Sequence, residues 1–327
     1  MIDDVVFLVG MPRSGTKLLR ELLNRHKDIA IFPNESVVFP YFHKIFFSFN
    51  DVNERENFNR FFQEFSKTTF FRRISSNSIV ITCDAWFLAL KGNSYKDVID
   101  ALFENYRSLT GAKFVGDKSP SYITQIPLLA ELYPNAKYIH IYRDPRDYAL
   151  SIEAAWGKNK IRAVQRWKEQ VRKFLSDVKL FNLNYCNVSY ESLISNPEQV
   201  IRNISDFIGV DFQELMLTLD RPSENLGDTK GELSIVAKNS NKWVDRLSSS
   251  ELKEIEGIAG EAMEELGYKV QSESGNNNVS SFQMLLFRLL DGLNLFKHHI
   301  KAEGGLMRAI KQAWRAKKHS AFEESNP

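Results

Sequence analysis

The sequence has little cysteine, little excess charge and no long apolar run, and each shortage excludes a class of protein. Cys83 and Cys186 are the only two cysteines in 327 residues, too few for a disulfide framework or a cysteine-based zinc cluster. Lys and Arg number 43 against 41 Asp and Glu, so bulk basicity gives no reason to expect nucleic acid binding. Any binding site for an anion must therefore be local.

Long apolar stretches are also lacking. No stretch reaches the roughly 18 uninterrupted apolar residues of a membrane-spanning helix. The longest candidate, residues 282–296, is interrupted by Arg288 and Asp291. The chain begins with Met, Ile and two Asp before a short apolar run at 5–9, which does not match a secretory signal. These features predict a cytoplasmic protein that does not cross a membrane.

What the sequence does contain is an alternation of short apolar runs with helical periodicities. Residues 5–9 are wholly apolar and end at Gly10, which is typical of a strand buried on both faces. Further strands are predicted at 137–142 and 186–190. Helices are predicted from about Leu18, over 147–156 and over 197–208. This alternation predicts an α/β fold with a central parallel sheet.

Three segments depart from the alternation. Residues 41–110 are rich in aromatic residues and helix formers, and they predict a helical insertion that covers a substrate cleft. Residues 272–281 are polar and almost uncharged, which favours a linker. Residues 282–327 are predicted to form a basic amphipathic helical tail after a main domain at 1–271.

Residues 10–17, Gly-Met-Pro-Arg-Ser-Gly-Thr-Lys, lie between the first predicted strand and a helix. Backbone N–H groups and the positive end of the helix dipole favour an anion at such a junction. The spacing nearly matches the nucleotide-triphosphatase pattern GxxxxGK[ST], but Thr16 precedes Lys17, so lysine and hydroxyl are one position out of register. The segment indicates a phosphate-binding loop, with a plain strand-to-helix turn as the alternative.

A second motif, Tyr-Arg-Asp-Pro-Arg-Asp, occupies residues 142–147 at the end of another predicted strand. The guanidinium of Arg143 can grip a phosphate through two parallel hydrogen bonds, and Ser151, eight residues later, adds a hydroxyl donor from the next helix. The alternative interpretation is an ordinary helix cap at Asp147 with surface arginines.

These two motifs, Pro12-Arg13-Ser14-Gly15-Thr16 and Arg143 with Ser151, resemble those of the sulfotransferases that use 3′-phosphoadenosine 5′-phosphosulfate (PAPS). Residues 116–120, 188–193 and 240–243 are similar to further segments of that family. The motifs are most similar to the bacterial and protein-tyrosine branches. The resemblance spans about residues 5–270 and implies a P-loop three-layer α/β/α fold, with residues 1–271 as the catalytic domain.

The resemblance also implies the reaction and the residues that perform it. A sulfuryl group would pass in line from PAPS to a hydroxyl of a glycan, lipid, small molecule or tyrosine, without a metal. Glu35 is the predicted general base, with Arg13 and Lys118 as cations on the leaving side. His26 is a competing base, although a capping histidine is ordinary at a helix end. The predicted nucleotide-binding residues are Arg13, Ser14, Gly15, Thr16, Lys17, Arg143, Ser151, Tyr190 and Lys242.

Two other functions stay open at this point. One is a P-loop kinase or nucleotide triphosphatase, and the other is a non-catalytic nucleotide-binding module of the same fold. The predicted partners are a hydroxyl-bearing acceptor and a second copy of the chain, with no nucleic acid.

The tail offers two alternatives of its own. Residues 282–320 carry eight Lys and Arg against two acids, and leucines recur in them at helical spacing. The apolar stripe either packs on the main domain or a second subunit, or lies on an anionic membrane surface. The second alternative would attach the protein peripherally to the inner membrane surface and would favour a lipid-linked acceptor. The lack of a membrane anchor favours a bacterial cytoplasmic protein over a Golgi enzyme.

Overall fold

The computed structural model describes residues 4–76, 79–224 and 226–303, and a parallel sheet lies at their centre. Its five strands pair in the order β2-β3-β1-β4-β5, and every pairing is parallel. The strands are β1 (Val5–Val9), β2 (Ile29–Ile31), β3 (Phe114–Lys118), β4 (Lys137–Tyr142) and β5 (Asn184–Ser189).

Helices cover both faces of this sheet, which confirms the predicted α/β class. In the described part of the chain they are α1 (Thr16–Leu23), α2 (Phe39–Ile45), α3 (Arg55–Ser66), α4 (Thr69–Ser76), α5 (Cys83–Leu88), α6 (Tyr95–Thr110), α7 (Ile126–Leu132), α8 (Pro145–Trp156), α9 (Lys160–Leu180), α10 (Tyr190–Ser195), α11 (Pro197–Ile208), α12 (Trp243–Arg246), α13 (Ser249–Glu265) and α14 (Ser281–Glu303).

The central strand β1 is buried along its whole length because it contributes to a core on each face of the sheet. Phe7 packs with aromatic residues of the larger core, among them Phe103 of α6 and Tyr138 of β4. Leu8, on the opposite face, belongs to a smaller core with Leu19 of α1. The wholly apolar composition of residues 5–9 follows from this double burial.

Two strands, β2 and β3, were not predicted from the sequence. β2 has only three residues, and β3 ends in Asp117 and Lys118, which are charged residues in a run that would be read as a loop. Both side chains are nevertheless buried, because each has polar partners in the segment that follows β2. β5 ends at Ser189 rather than at the predicted residue 190, since Tyr190 begins α10.

The described residues of 41–110, that is 41–76 and 79–110, contain helices and no strand, as predicted, and their aromatic side chains pack together. Trp86 of α5 is fully buried, and its indole N–H donates to the carbonyl of Val98 at 2.8 Å. Rings of Phe58, Phe61 and Phe65 from α3 meet it edge to face. Such pairs contribute about 0.5–1.5 kcal/mol each beyond the area they bury. The abundance of aromatic residues therefore serves packing.

Residues 272–280 form neither helix nor strand, yet they are held against the preceding helices. The N–H groups of Gly275 and Asn277 donate to carbonyls of α13, and the Lys168 ammonium of α9 donates to the Asn277 carbonyl at 2.7 Å. A Cβ on Gly275 would collide with the backbone of Gly257, so only glycine permits this close approach. The predicted linker is therefore packed against α9 and α13 over residues 272–280.

Helix α14 contacts the main body through polar groups and leaves its leucines uncovered. Asp291 is 4% exposed and accepts from Arg162 at 2.8 Å, whereas Leu285 and Leu289 are 54% and 60% exposed. None of the described helices is long and apolar enough to cross a bilayer. The rest of the predicted tail, including Trp314, lies outside the described residues.

Candidate active site

Many of the predicted site residues lie along one edge of the sheet, because they stand at or soon after the carboxyl end of a parallel strand. The order across that edge is Glu35 after β2, Lys118 at the end of β3, residues 10–16 after β1, Arg143 after β4 and Tyr190 after β5. Ligands of open α/β sheets bind at this edge.

The loop after β1 turns tightly into α1. Arg13 and Gly15 have φ angles of 70° and 91°, and a Cβ on Gly15 would lie 2.5 Å from the Tyr190 ring. A non-glycine residue held at positive φ is strained and is a feature often found at functional sites. The N-terminus of α1 has no side-chain cap, and the buried Ser14 hydroxyl has no hydrogen-bond partner among the described residues. These donors fit an anion.

Arg143 is buried directly beside this loop. Its guanidinium donates to the carbonyl of Arg13 at 3.2 Å and to that of Asn239 at 3.1 Å, and it lies 4.5 Å from the centre of the Tyr190 ring. Its Nε has no partner in the described part of the chain. Although Arg143 is 5% exposed, no carboxylate pairs with it there, and a buried unpaired cation is the expected state of an anion-binding group.

Two further predicted cations, Arg13 and Lys242, lie in the same cleft, where acidic side chains pair with them. Arg13 donates to Glu224 at 2.5 Å, and its Nε lies 3.4 Å from the Ser151 hydroxyl. Lys242 donates to Asp228 at 2.5 Å. The cleft is lined by all five of these residues and by Arg143. Because the Arg13 side chain points toward Ser151, the geometry favours nucleotide binding over the predicted role on the leaving side.

Glu35 and Lys118 form an ion pair at the other end of the edge. The Lys118 ammonium donates to the Glu35 carboxylate at 2.5 Å, although the two residues are 83 positions apart. The Lys118 side chain is 1% exposed and that of Glu35 is 39% exposed. Burial lowers the pKa of Lys118, and the neighbouring Glu35 charge opposes that shift. An exposed carboxylate on a buried cation suits proton abstraction next to a charge-stabilising group.

A buried hydrogen-bond cluster positions this pair, and it was missed by the sequence analysis. The Asp117 carboxylate accepts from the hydroxyls of Ser36 at 2.8 Å and Ser119 at 2.7 Å. Burial raises the pKa of Asp117 to about 6. Since Ser36 follows Glu35 and Asp117 precedes Lys118, the cluster joins the two backbones that carry the pair. The available signal was the similarity of residues 116–120, which include Asp117 and Ser119, to a segment of the sulfotransferase family.

Some of the predicted residues have other surroundings or roles than expected. Both ring nitrogens of His26 are engaged, one with the carbonyl of Asp211 at 2.9 Å and one with the N–H of Asp28 at 3.0 Å, so the competing base is a structural residue. Thr16 is buried at the start of α1, whereas Lys17 is half-buried and does not line the cleft. Asp147 does not cap α8, because Asp144 does.

Comparison with known proteins agrees with this arrangement. The sequence model of the Sulfotransferase family matches residues 5–214. The chain belongs to the sulfotransferase family. The fold resembles the sulfotransferase domain from the curacin biosynthetic pathway, with a TM-score of 0.54, 22% identity and coverage of 81% of this chain and 98% of that domain. The sulfotransferase domain of the Synechococcus PCC 7002 olefin synthase gives the same TM-score at 24% identity, covering 81% and 94%.

Among proteins similar in sequence is a putative protein-tyrosine sulfotransferase of Caenorhabditis briggsae, 23% identical over 83% of this chain and 91% of that protein. The nodulation protein NoeE of Sinorhizobium fredii is 29% identical, over 47% of this chain and 32% of its own length. The family match ends before Glu224, Asp228 and Lys242, so the acidic side of the cleft in this sulfotransferase lies beyond the matched residues.

Proposed function

We propose that this sulfotransferase moves a sulfuryl group from PAPS to a hydroxyl-bearing acceptor. The observation that carries the proposal is the convergence of Arg13, Arg143 and Ser151 in one cleft, although Arg143 follows a different strand from the loop that contains Arg13. Two cations and a hydroxyl suit the 3′-phosphate that distinguishes this nucleotide from simpler ones.

The loop after β1 would hold the 5′-phosphosulfate. Gly15 and Thr16 supply backbone N–H groups, and the unpartnered hydroxyl of Ser14 supplies a further donor, since the Ser14 N–H donates to the Met11 carbonyl at 3.2 Å. Tyr190 would help to hold the nucleotide together with Arg143, which lies over its ring. Lys242 is proposed as a second contact on the same side, and Lys17 as a cation at the loop margin. PAPS, when bound, supplies the electrophilic sulfur.

The Glu35–Lys118 pair would perform the acid–base and charge-stabilising work. Glu35 removes the proton of the acceptor hydroxyl while the oxygen of that hydroxyl forms a bond to sulfur. The bond between sulfur and the 5′-phosphate oxygen breaks, and Lys118 stabilises the negative charge left on that oxygen. Arg13 adds positive charge from the nucleotide side.

A thermal-unfolding comparison tests the nucleotide assignment. Adenosine 3′,5′-bisphosphate at about 100 times its Kd adds about 2.7 kcal/mol to the free energy of unfolding, so it raises Tm, whereas ATP with Mg²⁺ should not. Stabilisation by ATP with Mg²⁺ alone would favour a kinase or nucleotide triphosphatase. Binding without sulfuryl transfer from radiolabelled PAPS to any glycan, lipid or peptide pool would favour a non-catalytic module.

Several finer assignments belong to the proposal and remain predictions. They are residues 1–271 as the catalytic domain, residues 41–110 as the cover of the substrate cleft, a bacterial cytoplasmic origin and a homodimer. The acceptor class stays open among glycan, lipid, small molecule and the tyrosine named for the relatives. Membrane contact through 282–320 is supported by the uncovered leucines of α14 and by the basic sequence that follows them.

A further inference from the structure

A second groove begins where the candidate active site ends. Pro12, the residue before Arg13, forms part of its wall, as do Pro120 and Ser121, the second and third residues after Lys118. The opposite wall is built by the end of α8 and the start of α9, with the rings of Tyr148 and Trp156. When the hydroxyl of an acceptor reaches Glu35, the rest of the acceptor molecule can therefore lie in this groove.

The far end of this groove is strongly cationic. Lys158, just before α9, and Arg162 and Arg166, in its first two turns, line this end, where the helix dipole adds positive potential. Asp291 of α14 is the acid that reaches them, and it pairs with Arg162 at 2.8 Å. Neither Lys158 nor Arg166 has a carboxylate within 4.0 Å among the described residues, so the groove retains uncompensated positive charge.

Two details indicate that this charge is arranged for a ligand. Lys158 is half-buried over the Trp156 ring at 4.8 Å, and burial together with the charges of Arg166 and Arg162 lowers its pKa. The second detail is that the cluster of Lys158, Arg162 and Arg166 binds one carboxylate of the chain itself. Asp291 accepts from the Asn159 N–H at 2.7 Å and from Arg162 at 2.8 Å. Arg162 and Arg166, four residues apart on α9, repel each other, and Asp291 pairs with Arg162 but not with Arg166 or Lys158, so a further anion would lower the repulsion among these cations.

We infer that the acceptor carries an anionic group, such as a carboxylate, that binds between Lys158 and Arg166 while the acceptor hydroxyl lies at the Pro12–Pro120 end of the groove. This inference rests on the proposed function and narrows its acceptor to hydroxyl compounds with a negative charge. Specificity for the acceptor then depends on the residues at the α8–α9 junction as well as on residues 41–110, the proposed cover of the cleft.

Calorimetric titration with a matched pair of ligands tests this inference. The pair is 4-hydroxyphenylacetate and 4-hydroxyphenylacetamide, which have the same shape but differ in charge, and each is titrated with and without adenosine 3′,5′-bisphosphate. The carboxylate should bind about tenfold more tightly than the amide. Arg166→Gln and Lys158→Gln should each remove most of that preference. Arg202→Gln, which changes an exposed arginine of α11 outside the groove, should leave it intact.

The outcomes separate the two proposals. The inference is wrong if the carboxylate and the amide bind equally well, or if the preference for the carboxylate persists in both Arg166→Gln and Lys158→Gln. This holds whether or not adenosine 3′,5′-bisphosphate binds. If adenosine 3′,5′-bisphosphate does not bind, the proposed function is contradicted. The difference in affinity between the carboxylate and the amide can still be measured in that case. Arg166 is exposed, so its substitution tests the groove without disturbing the core.

Discussion

At the scale of single residues, Glu35 and Lys118 depend on each other. Lys118 is almost fully buried, and a buried ammonium keeps its charge only beside a counter-charge. Glu35 provides that charge and remains accessible to an acceptor. In the proposed mechanism one carboxylate therefore has two effects, because it receives the acceptor proton and, before that, keeps the neighbouring cation charged.

Replacing Glu35 with Gln should lower kcat by about 10²–10⁴-fold, since the variant cannot accept the acceptor proton. The Kd for adenosine 3′,5′-bisphosphate should stay close to that of the unmodified protein, because Glu35 lies outside the nucleotide cleft. Steady-state kinetics and calorimetry measure the two quantities. Glu131→Gln, an exposed change on α7, is the control. Unchanged turnover in Glu35→Gln would remove Glu35 from the mechanism.

Replacing Arg143 with Ala should weaken binding of adenosine 3′,5′-bisphosphate by about 10–100-fold, because a charge-assisted contact to the 3′-phosphate contributes about 1.5–3 kcal/mol. Adenosine 5′-phosphosulfate lacks that phosphate and should be affected much less. Competition binding with both nucleotides measures the difference. If both weaken equally, Arg143 supports the loop through the Arg13 carbonyl and does not read the 3′-phosphate.

At the scale of elements, a buried ion cluster attaches α13 to the start of α8. Arg146 donates to Glu256 at 2.7 Å and to Asp144 at 2.6 Å, and all three residues are at most 4% exposed. The Glu256 carboxylate also accepts from the N–H of Ser272 at 2.7 Å. The cluster thus holds the connection after α13 beside the strand end that carries Arg143.

Replacing Arg146 with Met should reduce the free energy of unfolding by about 3–5 kcal/mol, because two buried carboxylates lose their cation. The change Arg202→Met removes an exposed partner of Glu198 and should cost less than about 1 kcal/mol. Urea denaturation followed by circular dichroism compares the two variants. Similar losses in both would mean that Asp144 and Glu256 are stabilised by their backbone donors alone.

At the scale of the whole molecule, α14 is attached by polar contacts and presents leucines to its surroundings. Asp291 and Asn294 bind the α8–α9 junction, while Phe282, Leu285 and Leu289 are more than half exposed. The described part of the main domain does not cover this stripe. A membrane surface and a second copy of the chain are the two occupants proposed for this stripe.

Full-length protein should float with liposomes that contain anionic lipid at low salt, and the double variant Leu285→Glu with Leu289→Glu should not. Leu180→Glu changes a leucine of α9 that is 74% exposed, and it is the matched control. If the unmodified protein stays at the bottom of the gradient, the membrane alternative is wrong. Sedimentation velocity on the same proteins then tests the homodimer, which the double variant should dissociate.

Local chemistry made much of this protein predictable from its sequence. An apolar strand, a loop with glycines where φ is positive and a helix follow one another within residues 5–23, so no distant contact is needed to recognise them. The motif at 142–147 is equally local. Parallel strands place their carboxyl ends at one edge, which is why two motifs about 130 residues apart could be expected in the same site.

Only the tertiary structure decided the contacts that join distant segments. Glu35 and Lys118 are 83 positions apart, and Arg13 and Glu224 are 211 apart, so no spacing rule relates either pair. Asp117 is tolerated inside a strand solely because Ser36 and Ser119 donate to it there. Burial and partner choice depend on how α1, the sheet and the segments after it pack together. The sequence by itself therefore determined the fold class and the loops that can bind phosphate, while packing determined which charges meet beside them.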